Sequence, residues 1–155
     1  MYRTFLFLLL LAVLSGFIAH SYLATDNATD RNQTQNTQPG MCAKLPMEAD
    51  GIVRLSKIEV YPEHLEEYMK YASEVGEVSL RTEPGVLTMY AMSEKDNPCR
   101  ITILETYASR EAYKRHIASP HFRKYKEGTL HMVKSLTLSD QTPVNPANRI
   151  TNYME

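Results

Sequence analysis

The chain has 155 residues, 43% of them hydrophobic, which suffices for one domain with its own core and falls short of two. Its 17 lysines and arginines nearly balance its 18 aspartates and glutamates, which excludes a strongly basic nucleic-acid-binding protein and a long acidic tail. There is no tryptophan, but there are ten tyrosines and eight methionines, residue types that line apolar pockets as well as fill cores.

Residues 1–24 predict a signal peptide. After Arg3 the chain is uncharged from Phe5 to Ala19, and this apolar run is shorter than the roughly 20 residues that a membrane-spanning helix needs. Small side chains near Ser21 suit cleavage there, and an uncleaved N-terminal anchor is the open alternative. The sequence therefore predicts an exported protein, periplasmic or secreted, whose membrane contact, if any, is made through this segment.

Residues 25–50 are rich in Asn, Gln, Thr and Asp and have almost no apolar periodicity, so we predict a disordered tether. Cys42 in this segment and the more distant Cys99 match no CxxC or zinc spacing. Export permits a disulfide between them. Because the first predicted strand separates them, the bridge would need a folded-back tether or a partner chain, and the pairing stays open.

The folded domain is predicted over residues 51–140. Ile52–Val60 is rich in β-branched residues and predicts a strand. Pro62 then opens a helix with apolar residues at helical spacing on one face and glutamates on the other. An E-P-G turn at residues 83–85 leads into a second predicted strand, Val86–Ser93.

Arg100–Tyr107 is the third predicted strand, and a second helical region follows with Ser109 as its N-cap. The residue before a proline avoids the right-handed helical conformation, so this helix should end or bend at Ser119. Pro120 would then open a new helical turn. Leu130–Leu138 is the fourth predicted strand.

The predicted order of strand, helix, strand, strand, helix and strand is the split βαβ arrangement of a ferredoxin-like α+β fold. It predicts an antiparallel four-stranded sheet with helices on one face. The first and fourth strands carry apolar residues on both faces, so a second copy of the domain is the simplest cover for the other face, in a two-fold homodimer. Residues 141–155 predict an extended or loose tail.

Two histidines in the second helical region, His116 and His121, are candidate catalytic residues. They are separated by about 140° around a straight helix, so they face different ways unless the bend at Pro120 brings them together. Their spacing does not match a helical HExxH metal site, and we predict no metal. A neutral imidazole in the first turn of a helix could act as a base near pH 7, while ordinary packing is the alternative role.

Three segments carry a resemblance to a known family: EPGVL at residues 83–87, ILETY at 103–107 and AYKRHIASPHF at 112–122. With them, the chain from about residue 51 to 139 resembles the antibiotic biosynthesis monooxygenase family, and within it the small quinol monooxygenases. The resemblance implies a dimeric α+β barrel with a pocket between sheet and helices in each subunit. It also implies oxygenation of an electron-rich phenol or quinol by O₂ without flavin, haem or metal.

The resemblance places His116 and His121 at the family's helix positions, with either a candidate base. The candidate residues for the lining of the substrate pocket are Tyr90, Met92, Tyr107 and Tyr125. Lys126 stands where haem-degrading relatives need a histidine, so haem degradation is disfavoured.

Two other functions stay open at this point. One is a non-catalytic dimeric module that binds a small aromatic molecule, which would show ligand-induced stabilisation without product. The other is an isomerase that uses the same histidines on a small carbonyl compound, which would show proton exchange with solvent and no O₂ uptake.

Overall fold

A four-stranded antiparallel sheet forms the frame of the fold in the computed structural model, which describes residues 40–147 and 150. The strands are β1 (Ile52–Val60), β2 (Val86–Ser93), β3 (Arg100–Tyr107) and β4 (Val133–Asp140), in the spatial order β2-β3-β1-β4. The helices are α1 (Leu65–Thr82), α2 (Arg110–Ala118) and α3 (Pro120–Thr129), and a 3₁₀ turn (Pro62–His64) precedes α1. The predicted ferredoxin-like α+β fold is confirmed. None of the described helices is long and apolar enough to cross a lipid bilayer.

The second helical region is broken into two helices at Ser119, as the sequence predicts. Ser119 is extended, with φ −67° and ψ 150°, and its Oγ accepts a hydrogen bond from the backbone N–H of Phe122 at 3.2 Å. Ser109 caps α2 in the same way, since its Oγ accepts from the N–H of Ala112. Each cap satisfies a backbone donor that the first helical turn leaves unpaired.

Strand β1 lies between β3 and β4, and the helices cover one face of the sheet. Beneath them are two clusters of buried apolar side chains. The first consists of Ile58, Val60, Tyr68, Ile101 and Met132, and the second of Ile52, Leu80, Val86 and Tyr107. We call the opposite face of the sheet the open face; on β2 and β3 it is formed by Tyr90, Met92, Thr102 and Leu104, which pair in register.

The fourth strand begins at Val133, three residues later than the sequence predicts. The N–H of Met132 donates to the carbonyl of Thr129, which makes a turn at the end of α3. His131, predicted to begin the strand, lies in this turn with its ring edge-on to His64.

The end of the predicted tether is hydrogen-bonded to the domain. Backbone N–H groups of Cys42, Leu45 and Glu48 donate to carbonyls of Arg81, Pro84 and Ala108 at 3.1, 2.9 and 2.8 Å. Residues 41–48 therefore pack as part of the folded unit, which begins earlier than residue 51. The predicted leader at residues 1–24, the tether up to residue 39 and most of the tail beyond residue 147 lie outside the described residues.

Both cysteines are free, so the disulfide that the sequence left open is not formed. Cys42 lies beside Leu80, which packs on Ile52 at the start of β1. The carbonyl of Cys99 instead accepts from Val60 at the end of β1. A nine-residue strand spans about 30 Å, far beyond the reach of a disulfide.

Candidate active site

A cavity of about 630 Å³ lies between the helices and the sheet. Its walls are mostly apolar, and a small number of polar groups face into it, which is the usual composition of a site for a small organic molecule. The polar and aromatic side chains in its walls include Ser56, Glu105, Tyr107, Tyr113, His116 and Tyr125. Beside β4 the wall includes Leu136 and Leu138, whose side chains are exposed to solvent.

Both candidate histidines contact the same carboxylate. His116 Nδ1 lies 2.9 Å from Glu83 Oε1, and His121 Nε2 lies 2.6 Å from the same oxygen. The break at Ser119 sets α3 at a new angle to α2, so two imidazoles that would diverge on a straight helix converge. The bend at Pro120 therefore brings the two histidines together, as the sequence requires if they are to act as a pair.

Glu83 reaches the histidines because its turn lies close against α2. Glu83 follows α1, with its N–H bonded to the carbonyl of Ser79 at 2.9 Å. At Gly85, an added Cβ would lie 2.5 Å from the Cβ of Ala112, so this close approach requires glycine. Lys44 Nζ also donates to the carbonyl oxygen of Glu83 at 3.0 Å and supports the turn from the other side.

The surroundings of Glu83 determine its charge. Burial alone would raise its pKa, but the hydrogen bonds from His116 and His121, and the positive charge that each ring carries when protonated, outweigh burial and hold the pKa below its ordinary value. Glu83 is therefore ionised at neutral pH and accepts both hydrogen bonds. The donors are then Nδ1–H of His116 and Nε2–H of His121, so in the neutral form of each imidazole it is the other nitrogen that can accept a proton.

The two histidines differ in their access to the cavity. His116 is 1% exposed and lines the cavity, with its ring 5.4 Å from that of Tyr107 and 4.8 Å from that of Phe122. His121 is 17% exposed at its side chain and does not line the cavity. The geometry thus brings both histidines to Glu83 but only His116 to the cavity.

Of the four residues predicted to line the substrate pocket, Tyr107 and Tyr125 lie in the cavity wall. Tyr107 Oη donates to Glu105 Oε2 at 2.7 Å, and the hydroxyls of Tyr125 and Tyr68 are 2.7 Å apart. Burial, together with the nearby Glu105 charge, raises the pKa of Tyr107 and of Tyr125. Both therefore stay neutral phenols that donate or accept hydrogen bonds.

The structure does not bring Tyr90 and Met92 to this cavity. Side chains alternate along a strand, so Met89 and Ala91 face the cavity while Tyr90 and Met92 lie on the open face. They are 57% and 42% exposed.

The sequence places Glu83 only in a turn and gives no local signal for its contacts with the histidines. Glu105 shares a strand face with Ile103 and Tyr107, which predicts a buried hydrogen-bond anchor, and it accepts hydrogen bonds from Ser56 and Tyr107. Both acids belong to the segments that carry the family resemblance, and that was the available signal. The contacts themselves join residues 33 and 38 positions apart, which no local pattern reveals.

One ligand atom from each of Glu83, His116 and His121 lies within 4.8 Å of the others, and these atom types bind divalent transition metals. Glu83 Oε1 lies at hydrogen-bond distance from both ring nitrogens. The carboxylate of Glu83 therefore accepts a hydrogen bond from one nitrogen of each ring.

Comparison with known families gives a match over most of the described chain. The profile of the family described as Antibiotic biosynthesis monooxygenase matches residues 51–128. A search of curated proteins finds no match.

Solved structures give the same result. A provisionally named antibiotic biosynthesis monooxygenase from Bacteriodes thetaiotaomicron is 56% identical, with a TM-score of 0.64, over 66% of this chain and 97% of that one. A provisionally named monooxygenase from Lactobacillus acidophilus is 32% identical, with a TM-score of 0.58, over 61% of this chain and 45% of that longer one. A protein from Nitrosomonas europaea, at 18% identity and a TM-score of 0.59, shares the fold.

Proposed function

Because the chain belongs to the antibiotic biosynthesis monooxygenase family, we propose that it is a monooxygenase that oxidises an electron-rich phenol or quinol with O₂. The substrate supplies the electrons, so the reaction needs neither an organic cofactor nor a metal. The observation that carries this proposal is the imidazole of His116, which lies in the wall of a largely apolar cavity and is oriented by its hydrogen bond to an ionised Glu83.

The proposed base is His116. Its Nδ1–H donates to Glu83, so Nε2 is the nitrogen that takes the proton of a substrate hydroxyl. Glu83 then stabilises the imidazolium that forms, as the carboxylate does in other acid–histidine pairs. His121 is a positioning residue, because it contacts Glu83 and does not line the cavity.

The phenolate that remains is a stronger reductant toward O₂ than the phenol. With 1,4-naphthohydroquinone as the substrate, one oxygen atom of O₂ forms a bond to the ring carbon beside a hydroxyl group. The other oxygen atom leaves as water, and the product is 2-hydroxy-1,4-naphthoquinone. Two hydrogens leave the substrate in the water formed, so atoms and electrons balance. The cavity contributes orientation of the ring and exclusion of bulk water.

The test is O₂ uptake by the purified protein with 1,4-naphthohydroquinone, measured against spontaneous autoxidation, with the product identified by mass spectrometry in ¹⁸O₂. We expect one ¹⁸O atom in each hydroxyquinone. If the folded protein gives neither excess O₂ uptake nor labelled product across a panel of quinols, the oxygenase proposal is wrong. Thermal stabilisation by the same compounds without product would then favour a binding module, and solvent deuterium exchange into a carbonyl compound would favour an isomerase.

A further inference from the structure

Two acids, Glu77 and Glu105, line the cavity, and the proposed reaction uses neither of them. Glu105 is the one that protein hydroxyls hold in place. It lies on β3, on the face of the sheet that the helices cover, and it is partly buried. Ser56 Oγ donates to Glu105 Oε1, and Tyr107 Oη donates to Oε2 at 2.7 Å. Two protein hydroxyls therefore hold the carboxylate in a defined position.

No lysine or arginine among the described residues forms an ion pair with Glu105. Arg54 is its register partner on β1, but Arg54 Nε binds Asp140 Oδ1 at 2.7 Å. The guanidinium of Arg54 also lies over the ring of Tyr113, 4.7 Å from its centroid. Arg54 and Lys126 both line the cavity, but neither pairs with Glu105 among the described residues, and the Nε of Arg54 is bonded to Asp140.

A carboxylate in a mostly apolar cavity is costly unless donors surround it. Its two oxygens accept about four hydrogen bonds in all, and the protein provides one to each oxygen. The remaining capacity faces a cavity that has room for a small aromatic molecule. A hydroxyl group on that molecule could donate a further hydrogen bond to Glu105, whereas an ether oxygen or a second carboxylate has no hydrogen to donate.

We propose that Glu105 binds a second hydroxyl group of the substrate, at the other end of the aromatic ring from the hydroxyl that faces His116. This inference rests on the proposed function and makes Glu105 the residue that selects a diol over simple monophenols and their ethers. Tyr107 supports this arrangement, because its hydroxyl bonds to Glu105 and its ring lies beside that of His116.

The two ends of the bound ring then have different roles. The negative charge of Glu105 opposes loss of a proton from the hydroxyl that it binds, so the proton leaves from the hydroxyl at His116. A hydrogen bond to a carboxylate also increases the electron density of the ring, which favours electron transfer to O₂. Glu105 therefore orients the substrate and selects its reactive end.

The test compares the binding of 1,4-naphthohydroquinone and 4-methoxy-1-naphthol by calorimetry without oxygen. We expect the diol to bind about 10- to 100-fold more tightly, as for a hydrogen bond to a charged group. Equal affinities, tighter binding of the ether, or no binding of either compound would overturn the inference. This readout needs no turnover, so a protein that prefers the diol but consumes no O₂ refutes the oxygenase proposal alone.

Glu105→Gln should bring the two affinities to within about threefold of each other, because the charged acceptor is lost. Glu66→Gln is the matched control, since Glu66 is exposed on α1 and pairs with Lys70; it should keep the full preference. A Glu105→Gln protein that still prefers the diol as strongly as the wild type contradicts the proposal. The comparison of the two ligands on the unaltered protein stands even if this variant does not fold.

Discussion

At the scale of single residues, one carboxylate oxygen organises the site. Glu83 Oε1 accepts hydrogen bonds from two imidazoles that approach from different helices, and only one of them, that of His116, lines the cavity. The ring nitrogens that contact Glu83 also differ, Nδ1 in His116 and Nε2 in His121. This difference allows amide substitutions that keep the hydrogen bond and remove the base.

His116→Asn places an amide where Nδ1 lies, and His121→Gln places one where Nε2 lies. Because His116 is the proposed general base, His116→Asn should lower kcat for 1,4-naphthohydroquinone by about 10²- to 10⁴-fold, and His121→Gln by less than about tenfold. The measurement is O₂ uptake at saturating substrate. A larger loss in His121→Gln would assign the base to His121.

The ionised state of Glu83 makes part of the stability dependent on pH. Folding lowers its pKa from the ordinary glutamate value, because the hydrogen bonds and charge of His116 and His121 outweigh burial. The stabilisation is therefore fully present above that ordinary pKa and is lost as the pH falls through the pKa of the folded state.

We expect the free energy of unfolding of the wild type to exceed that of Glu83→Gln at pH 6, and the difference to shrink at pH 3. Urea denaturation at both pH values measures it, with Glu127→Gln at an exposed position of α3 as the control. A difference that grows at pH 3 would mean that the pKa of Glu83 is raised by folding.

At the scale of elements, the break between α2 and α3 and the turn between α1 and β2 together build the site. The break turns His121 toward His116, and the turn brings Glu83 to both. The turn has little freedom, because Gly85 packs directly on Ala112 of α2. The position of Glu83 thus depends on the close approach of the backbone at Gly85 to α2 at Ala112.

Gly85→Ala should destabilise the protein by about 1–3 kcal/mol, since its new Cβ has no room beside Ala112. The substitution should also reduce activity by moving Glu83 away from the histidines. Thermal and urea denaturation measure the first effect and O₂ uptake the second. Ala112→Gly removes the obstructing Cβ, so the double variant should recover part of both losses; a double variant no better than Gly85→Ala would refute this explanation.

At the scale of the whole molecule, the open face is the feature that the described part of the chain, residues 40–147 and 150, leaves without a cover. It exposes Tyr90 and Met92 side by side on β2, next to Leu104 on β3. Apolar side chains grouped on one face commonly mark an interface. We propose that a second copy covers this face in a two-fold dimer, where Tyr90 and Met92 would be interface residues.

A charged residue on the open face should therefore dissociate the dimer. We expect sedimentation of the wild type at twice the mass of one chain, and of Met92→Glu at the mass of one chain at micromolar concentration. Lys114→Glu, at an exposed position of α2, is the control and should leave the mass unchanged. A wild-type protein that sediments as a monomer, or a Met92→Glu variant that stays dimeric, would contradict this arrangement.

The sequence by itself determined the local structure and the family. Strands β1, β2 and β3 begin and end at the predicted residues, and the break at Ser119 follows from the cap and from Pro120. Such features depend on backbone preferences and hydrogen bonds within a few residues, so a single stretch of chain contains their cause.

Only the tertiary structure decided how the site is assembled. It brought Glu83 to His116 and His121, directed Tyr90 and Met92 to the open face, placed Glu105 in the cavity and packed residues 41–48 on the domain. These outcomes depend on strand register, on the face of each strand that the helices cover, and on close packing between elements far apart in sequence. No short pattern in the chain contains that information, because the interacting groups meet only after the whole sheet and its helices have formed.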